Sequence, residues 1–203
     1  MQQVVPRTHQ APGERTRREP LAARLVVSVD RVILGVARRW LPPVNAVVSG
    51  WFAALILAPL LRVAGAPGVA RPIYATFSLV CHQDPSRSFD VGGSPLACCH
   101  RCAAIYGASA AAGLGFATVR ERLRPRGPRM YEVAALLAPA AVDGTGGLLG
   151  WWNGVMPVRV ATGALVGVAM VWLVYPFLDA GFARIRERLE GLFARLASEG
   201  RFQ

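Results

Sequence analysis

Residues 160–178 read VATGALVGVAMVWLVYPFL, nineteen consecutive positions without a charged side chain. An α-helix of that length rises about 29 Å, which matches the roughly 30 Å apolar core of a bilayer. Small residues recur four positions apart at Gly163 and Gly167, a spacing that lets two membrane helices approach closely. The stretch therefore predicts a transmembrane helix.

Three further apolar stretches precede this one. Residues 44–61 and 103–119 carry no charged side chain, and residues 133–149 carry only Asp143. Each is nearly long enough to cross a bilayer as a helix. We therefore predict an all-α integral membrane protein with four transmembrane helices in residues 44–178.

The composition agrees with a membrane protein. Of the 203 residues, 53% are hydrophobic and 17% are charged, whereas soluble domains carry about 25% charged residues. All 23 basic residues are arginine, and the net charge is +11. The arginines lie between the apolar stretches and at both ends, a distribution typical of membrane topology with anionic lipid as the counter-charge. We expect the lipid bilayer, and no nucleic acid, as a partner.

Polar or amphipathic segments flank the apolar region. Residues 1–20 are rich in Pro, Arg and Gln and have no apolar period, so they are predicted to be a disordered basic arm. Residues 21–40 place apolar side chains on one helical face and arginines on the other, which predicts an interfacial helix. After Gly181, residues 182–198 predict a second amphipathic helix, in the cytoplasm.

The arginines also predict an orientation. The two ends and the loop around residues 120–129 together carry eighteen, and the remaining two loops carry five. Arginine-rich segments stay in the cytoplasm. We therefore expect an inner (plasma) membrane protein with both termini cytoplasmic and the loop over residues 81–102 outside.

All four cysteines lie in that loop. The spacing Cys99-x-x-Cys102 lets both sulfurs face one point, which suits a thiophilic metal such as zinc or iron. Adjacent ligands at 81 and 82 need a sharp turn of the chain, which Pro85 and the polar residues after it permit. The predicted ligands are Cys81, His82, Cys99 and Cys102, with His100 or Cys98 as alternatives to His82.

Two other kinds of chemistry fit the same cysteines. An outward-facing loop is in an oxidising place, where thiols pair into disulfides. At a helix N-terminus beside Arg101, a Cys99/Cys102 pair is expected to have a lowered thiolate pKa. Such a pair, with Cys81 as the shuttle, predicts a membrane thiol–disulfide oxidoreductase that uses a quinone. Inert disulfides that pin the loop are the third possibility, and residue chemistry alone leaves all three open.

Asp143 is the other residue that indicates a function. A carboxylate at the centre of a membrane helix costs at least about 2.5–3.5 kcal/mol, so it normally has a partner. Asp143 lies about 9 Å below the outer end of its predicted span, and Arg159 begins the next span at the same surface. We predict an intramembrane Asp143–Arg159 pair. Tyr106, one turn inside Cys102, faces the same region, so the catalytic candidates are Asp143, Arg159 and Tyr106.

A series of short motifs runs through roughly residues 74–167. The motifs are Cys81-His82-Gln83, Arg87-Ser88-Phe89, Cys99-x-Arg101-Cys102, Ile105-Tyr106-Gly107, Pro139, Asp143-Gly144, Arg159 and Thr162-Gly163. In this order they resemble the DUF2085 family, predicted prokaryotic membrane proteins of uncharacterised function, and the resemblance covers that same stretch. It implies that Cys81, His82, Cys99, Cys102 and Asp143 belong to one family pattern. Cys98 and His100 fall outside that pattern.

Overall fold

The computed structural model describes residues 12–123 and 126–198, and these residues form helices joined by short connections and one β-hairpin. The elements in chain order are α1 (Pro12–Arg38), α2 (Leu41–Val63), α3 (Pro67–Ser78), a 3-10 turn (Pro85–Arg87), β1 (Ser88–Val91), β2 (Ser94–Cys99), α4 (His100–Leu123), α5 (Met130–Leu148) and α6 (Met156–Ser198).

Each of the four predicted spans is a helix. By length and composition, α2, α4 and the apolar part of α6 can cross a membrane. Among the described residues α5 does not reach that standard. Its sequence contains Glu132 and Asp143 and has three glycines among its last five residues, which lowers its hydropathy. Three candidate spans are thus present, one fewer than the four that we predicted.

The ends of the helices follow local rules. Two prolines occupy the first turn of α2, where a missing N–H costs nothing. Gly65 and Gly150 adopt positive φ values of 79° and 73° just after α2 and α5, and chain reversal at a helix end favours glycine for this reason. Glu132 caps α5 by accepting a hydrogen bond from the Arg129 N–H.

The helices α4 and α6 pack closely because α6 has glycines at the contact. A Cβ atom on Gly163 would lie 2.5 Å from the Arg101 carbonyl oxygen, and one on Gly167 would overlap the Ile105 carbonyl oxygen. This is the close approach that the small-residue spacing predicts. Further along, Asn45 of α2 donates to the Gly113 carbonyl and accepts from the Tyr175 hydroxyl, which joins α2, α4 and α6.

The segment between α2 and α4 is more structured than the loop that we expected. It contains α3 and an antiparallel hairpin in which Ser88 pairs with Cys99 and Val91 with Ser94. Gly92 and Gly93 form its two-residue turn with positive φ values, as tight hairpins require. The described residues are thus mostly helical, and this hairpin is the departure from the all-helical fold that we predicted.

The chain divides into two compact units, and residues 40–181 form the larger one. In the smaller unit, Arg38 of α1 forms a 2.7 Å ion pair with Glu190 of α6. Helix α1 begins at Pro12 rather than at residue 21, and residues 1–11 of the predicted arm lie outside the described residues. Helix α6 continues through Gly181, where we predicted a new helix, because a glycine inside a helix costs only about 1 kcal/mol.

Candidate metal centre

Three cysteines converge where β2 joins α4. Cys99 is the last residue of β2, Cys102 lies in the first turn of α4, and Cys81 follows α3. Their sulfur atoms all lie within 4.8 Å of one another. Zinc–sulfur bonds of about 2.3 Å in a tetrahedral site place sulfurs about 3.8 Å apart, so small side-chain rotations are sufficient to close this group around an ion. The group can therefore hold a metal ion.

The backbone fixes the positions of these sulfurs. Because β2 passes directly into α4, Cys99 and Cys102 lie within one turn of each other. The N–H of Cys99 donates a hydrogen bond to Cys81 Sγ, with an N···S distance of 3.2 Å. Below them, Leu55 of α2 and Phe77 of α3 belong to a buried apolar cluster that also includes Cys81. The three sulfurs thus lie on a packed, dry base.

The chain turns sharply at Gln83, two residues after Cys81, before the 3-10 turn that begins at Pro85. Gln83 has a φ of +54°, a left-handed conformation that is uncommon for a residue with a side chain. Its amide nitrogen donates to the Tyr74 carbonyl at 2.7 Å and to the Ala97 carbonyl at 2.9 Å. These two bonds hold α3 and β2 together beside the cysteines. The sequence offered only a position in the Cys-His-Gln motif as a sign of this role.

His82 lies outside the three-cysteine group. Cys81 is 7% exposed, whereas His82 is exposed, because neighbouring side chains point in different directions at this turn. The two alternatives to His82 also lie outside the group. Cys98 is fully buried in the apolar cluster, and the buried His100 packs its ring edge against Phe89, with centroids 4.5 Å apart.

The expectation of a lowered thiolate pKa at Cys99 was wrong. Hydrogen bonding with the Cys102 sulfur, together with burial, raises the pKa of the Cys99 thiol above its usual range. Arg101, whose positive charge we expected to favour the thiolate, instead forms an ion pair with Asp143. All four cysteines are free thiols in this structure.

Asp143 pairs with a different arginine from the one that we predicted. The Arg101 guanidinium forms an ion pair with Asp143, which is 5% exposed. Arg101 belongs to the family motif, but sequence spacing did not predict that its side chain on α4 reaches Asp143 on α5. Arg159 Nε instead donates to the Gly154 carbonyl at 2.9 Å. Gly154 lies close to both groups, since a Cβ there would lie 3.1 Å from Arg159 Nε and from Asp143 Oδ1.

One cavity brings most of the candidate residues together. Its volume is about 500 Å³. Asp84 and Arg87 lie on its wall, and Asp84 is held by the Ser86 N–H and hydroxyl at 3.0 and 2.7 Å. These hydrogen bonds are the main cause that lowers the pKa of Asp84. The predicted site residues on the cavity wall are Cys81, His82, Cys99, Cys102, Asp143 and Arg159.

Tyr106 does not lie on the cavity wall. It packs among aromatic rings, with centroids 6.2 Å from Trp51 and 6.3 Å from Phe77. Its aromatic neighbours belong to α2 and α3, so Tyr106 contributes to the base under the cysteines.

Comparison with known proteins gives a family match and one relative. A family model described as a predicted membrane protein, DUF2085, matches residues 81–173. The chain is 33% identical over 104 residues to an uncharacterised protein of Methanocaldococcus jannaschii, and this alignment covers 51% of the chain and 67% of the relative. No solved structure matches the chain.

Proposed function

The chain belongs to the DUF2085 family of predicted membrane proteins, and from that premise we propose that it is a multi-pass membrane protein that binds a thiophilic metal ion, zinc or iron. The ligands are Cys81, Cys99 and Cys102. The observation that carries the proposal is the convergence of these three sulfurs within 4.8 Å.

The surroundings of the sulfurs support a metal site over a redox pair. The Cys99 N–H bond to Cys81 Sγ stabilises a negative sulfur, and thiolate is the form that ligates a metal. The convergence of three sulfurs, rather than two, on one point also favours a metal ion. A bound divalent ion would replace the protons on all three sulfurs. A metal site is therefore the function that these three cysteines support best.

The proposed location follows from the arginine distribution. We place both termini in the cytoplasm and the hairpin with its cysteines at the outer face of the inner membrane. Helix α5 is the fourth span in this proposal, which puts the Arg101–Asp143 pair just below the outer surface. In an oxidising compartment a bound metal would protect the three thiols from disulfide formation.

Elemental analysis of the full chain, purified in detergent without chelator, tests the proposal. We expect about one zinc or iron ion per chain, as a single mononuclear site requires. Serine at position 81, 99 or 102 should abolish stoichiometric binding, because a hydroxyl is a poor ligand for a thiophilic metal.

Cys98→Ala is the matched control. It removes a buried cysteine that hydrogen-bonds with Cys102 but is not a member of the group, so metal content should be unchanged if only the three cysteines ligate the ion. His82→Ala tests the fourth predicted ligand separately, and loss of metal in that variant would restore His82 to the site. Metal-free protein that oxidises thiols in a quinone-dependent manner would overturn the proposal in favour of the oxidoreductase.

A further inference from the structure

The cavity beside the cysteines is large enough for a ligand. Its volume of about 500 Å³ lies within the range of small-molecule sites, roughly 300–1,000 Å³. The three sulfurs lie on its wall, and so do Asp143 and Arg159. A ligand in the cavity can therefore reach both the proposed metal and an arginine.

Not every charged side chain on the cavity wall has an oppositely charged partner. Arg87 lies 3.3 Å from an oxygen of Asp84, and Arg101 is paired with Asp143. Among the described arginines of the wall, Arg159 is the one without a carboxylate within ion-pair distance. A guanidinium that is partly withdrawn from water attracts an anion more strongly than one at an open surface.

Arg159 is also held in place. Its Nε donates to the Gly154 carbonyl, which leaves both terminal nitrogens of the guanidinium as donors. The absence of a side chain on Gly154 leaves space for this arrangement, since a Cβ there would lie 3.1 Å from Arg159 Nε. A guanidinium held through Nε presents two parallel N–H groups, the geometry that pairs with a carboxylate or a phosphate.

The metal site itself has room for one more ligand. Zinc takes four ligands, and a site with three protein ligands keeps one position for water or substrate. In the described residues the group consists of three cysteines, and the carboxylates of the wall are engaged with Ser86, Arg87 and Arg101.

We infer that the fourth metal position and Arg159 together bind an oxyanion, a carboxylate or phosphate group, on a ligand that enters this cavity. The inference rests on the proposed metal site and adds the class of ligand that the site takes. Arg159 supplies charge and orientation, and the metal supplies the second contact. Asp143 keeps Arg101 neutralised, so that Arg159 is the anion's contact on this wall.

Cobalt substitution tests the inference on the full chain in detergent. Co²⁺ bound to thiolates gives a charge-transfer absorption that reports metal binding, while its d–d bands report the fourth ligand. We expect acetate and inorganic phosphate each to change the d–d bands saturably in the wild type. Arg159→Gln should keep the charge-transfer band and bind these anions about tenfold more weakly or worse, because a charge-assisted pair is lost.

Control variants separate the alternatives. Arg71→Gln removes an exposed arginine that is not on the cavity wall, and it should respond as the wild type does. Equal anion affinity in Arg159→Gln and the wild type would overturn the inference. So would d–d bands that change in anion-free His82→Ala, since His82 would then occupy the fourth position.

Two further outcomes locate any failure and the source of the anion. If the wild type shows no charge-transfer band, the proposed metal site is wrong. If the band is present but does not respond to anions, only the anion-binding inference is wrong. Nanodiscs of phosphatidylglycerol or phosphatidylcholine, without added anion, distinguish the sources. An Arg159-dependent change in the anionic discs identifies a lipid headgroup, and a change with soluble anions alone identifies a free ligand.

Discussion

At the scale of single residues, Gln83 does more for the site than its uncharged side chain suggests. It carries the backbone through a left-handed conformation directly after Cys81 and His82. Its amide then joins the carbonyls of Tyr74 and Ala97, on either side of the cysteines. A non-glycine residue in this conformation costs of order 1–3 kcal/mol, and the surrounding contacts must offset it.

Two substitutions separate the backbone contribution of Gln83 from that of its side chain. Gln83→Ala keeps the left-handed strain and loses both hydrogen bonds, so we expect a loss of about 1–3 kcal/mol in unfolding free energy. Gln83→Gly loses the same bonds but relieves the strain, and should be less destabilised by about 1 kcal/mol. Thermal or denaturant unfolding in detergent measures both, and equal stability of the two variants would contradict the backbone contribution.

Most of the site residues that the sequence predicted do line the cavity, but the sequence did not predict which of them contact each other. The Cys-x-x-Cys spacing brings Cys99 and Cys102 together because it spans one helical turn, and this is readable from sequence. That Cys81 joins them while His82 is exposed depends on the local path of the backbone before Gln83, which no spacing reveals. The partner of Asp143 likewise depends on how α4 lies against α5, a tertiary feature.

At the scale of elements, the link between α4 and α5 is the Arg101–Asp143 pair. Asp143 is buried, and Arg101 Nε is buried without a hydrogen-bond partner. Removing one member of a buried pair strands the other charge, which is usually more costly than removing both. The pair therefore either stabilises the contact between the two helices or also orders the residues of the cavity wall.

A double-mutant comparison decides between these roles. We expect Asp143→Asn and Arg101→Gln each to lower the unfolding free energy by about 3 kcal/mol, the lower end for a buried pair because Arg101 is partly exposed. The double variant should recover most of that stability. Metal content and anion response, measured on the double variant, should both fall if the pair also orders the cavity. Singles with wild-type stability would contradict the buried-pair interpretation.

The close crossing of α4 and α6 provides a second prediction at this scale. Gly163→Ala puts a methyl group 2.5 Å from the Arg101 carbonyl oxygen, so the helices must separate. We expect a destabilisation of about 1–3 kcal/mol, as for overpacking in a core. Thermal unfolding in detergent measures it.

Gly181→Ala is the matched control on the same helix. Its Cβ would meet no atom within 4 Å, and its φ is not in the left-handed region. Replacing an unconstrained helical glycine stabilises by about 0.4–1 kcal/mol. A Gly163→Ala variant as stable as Gly181→Ala would show that the crossing is loose.

Sequence periodicity located the helices well and the hairpin not at all. The apolar stretches predicted α2, α4, α5 and the apolar part of α6, because a chain segment that crosses a bilayer must satisfy its backbone hydrogen bonds internally, as a helix does. The hairpin is too short for a periodic signal, and its sign is the pair Gly92-Gly93 between two short strands. The apolar spacing around that pair carries no strand signal, so the segment was predicted as a loop.

At the scale of the whole molecule, the number of crossings rests on α5. Its two acidic residues lower its hydropathy, but both are compensated in the structure. Glu132 accepts from Arg126 and from the Arg129 N–H, and Asp143 is paired with Arg101. Paired charges cost less to place in a membrane than isolated ones. In the proposed four-span arrangement, these pairs lower the cost of placing α5 in the membrane, an effect that composition alone does not reveal.

The parity of crossings makes this testable. Four spans put both termini on the same side of the membrane, whereas three spans without α5 put them on opposite sides. We expect reporter fusions at either end of the chain to be active only as cytoplasmic reporters, because eighteen of the 23 arginines lie in the segments placed inside. An impermeant thiol reagent, applied after metal removal, should label the cysteine segment in intact cells, with a Cys81/Cys98/Cys99/Cys102 quadruple alanine variant as the unlabelled control. A C-terminal reporter that is active only outside would exclude α5 as a span. Labelling confined to broken cells would invert the whole arrangement and place the proposed metal site in the reducing cytoplasm.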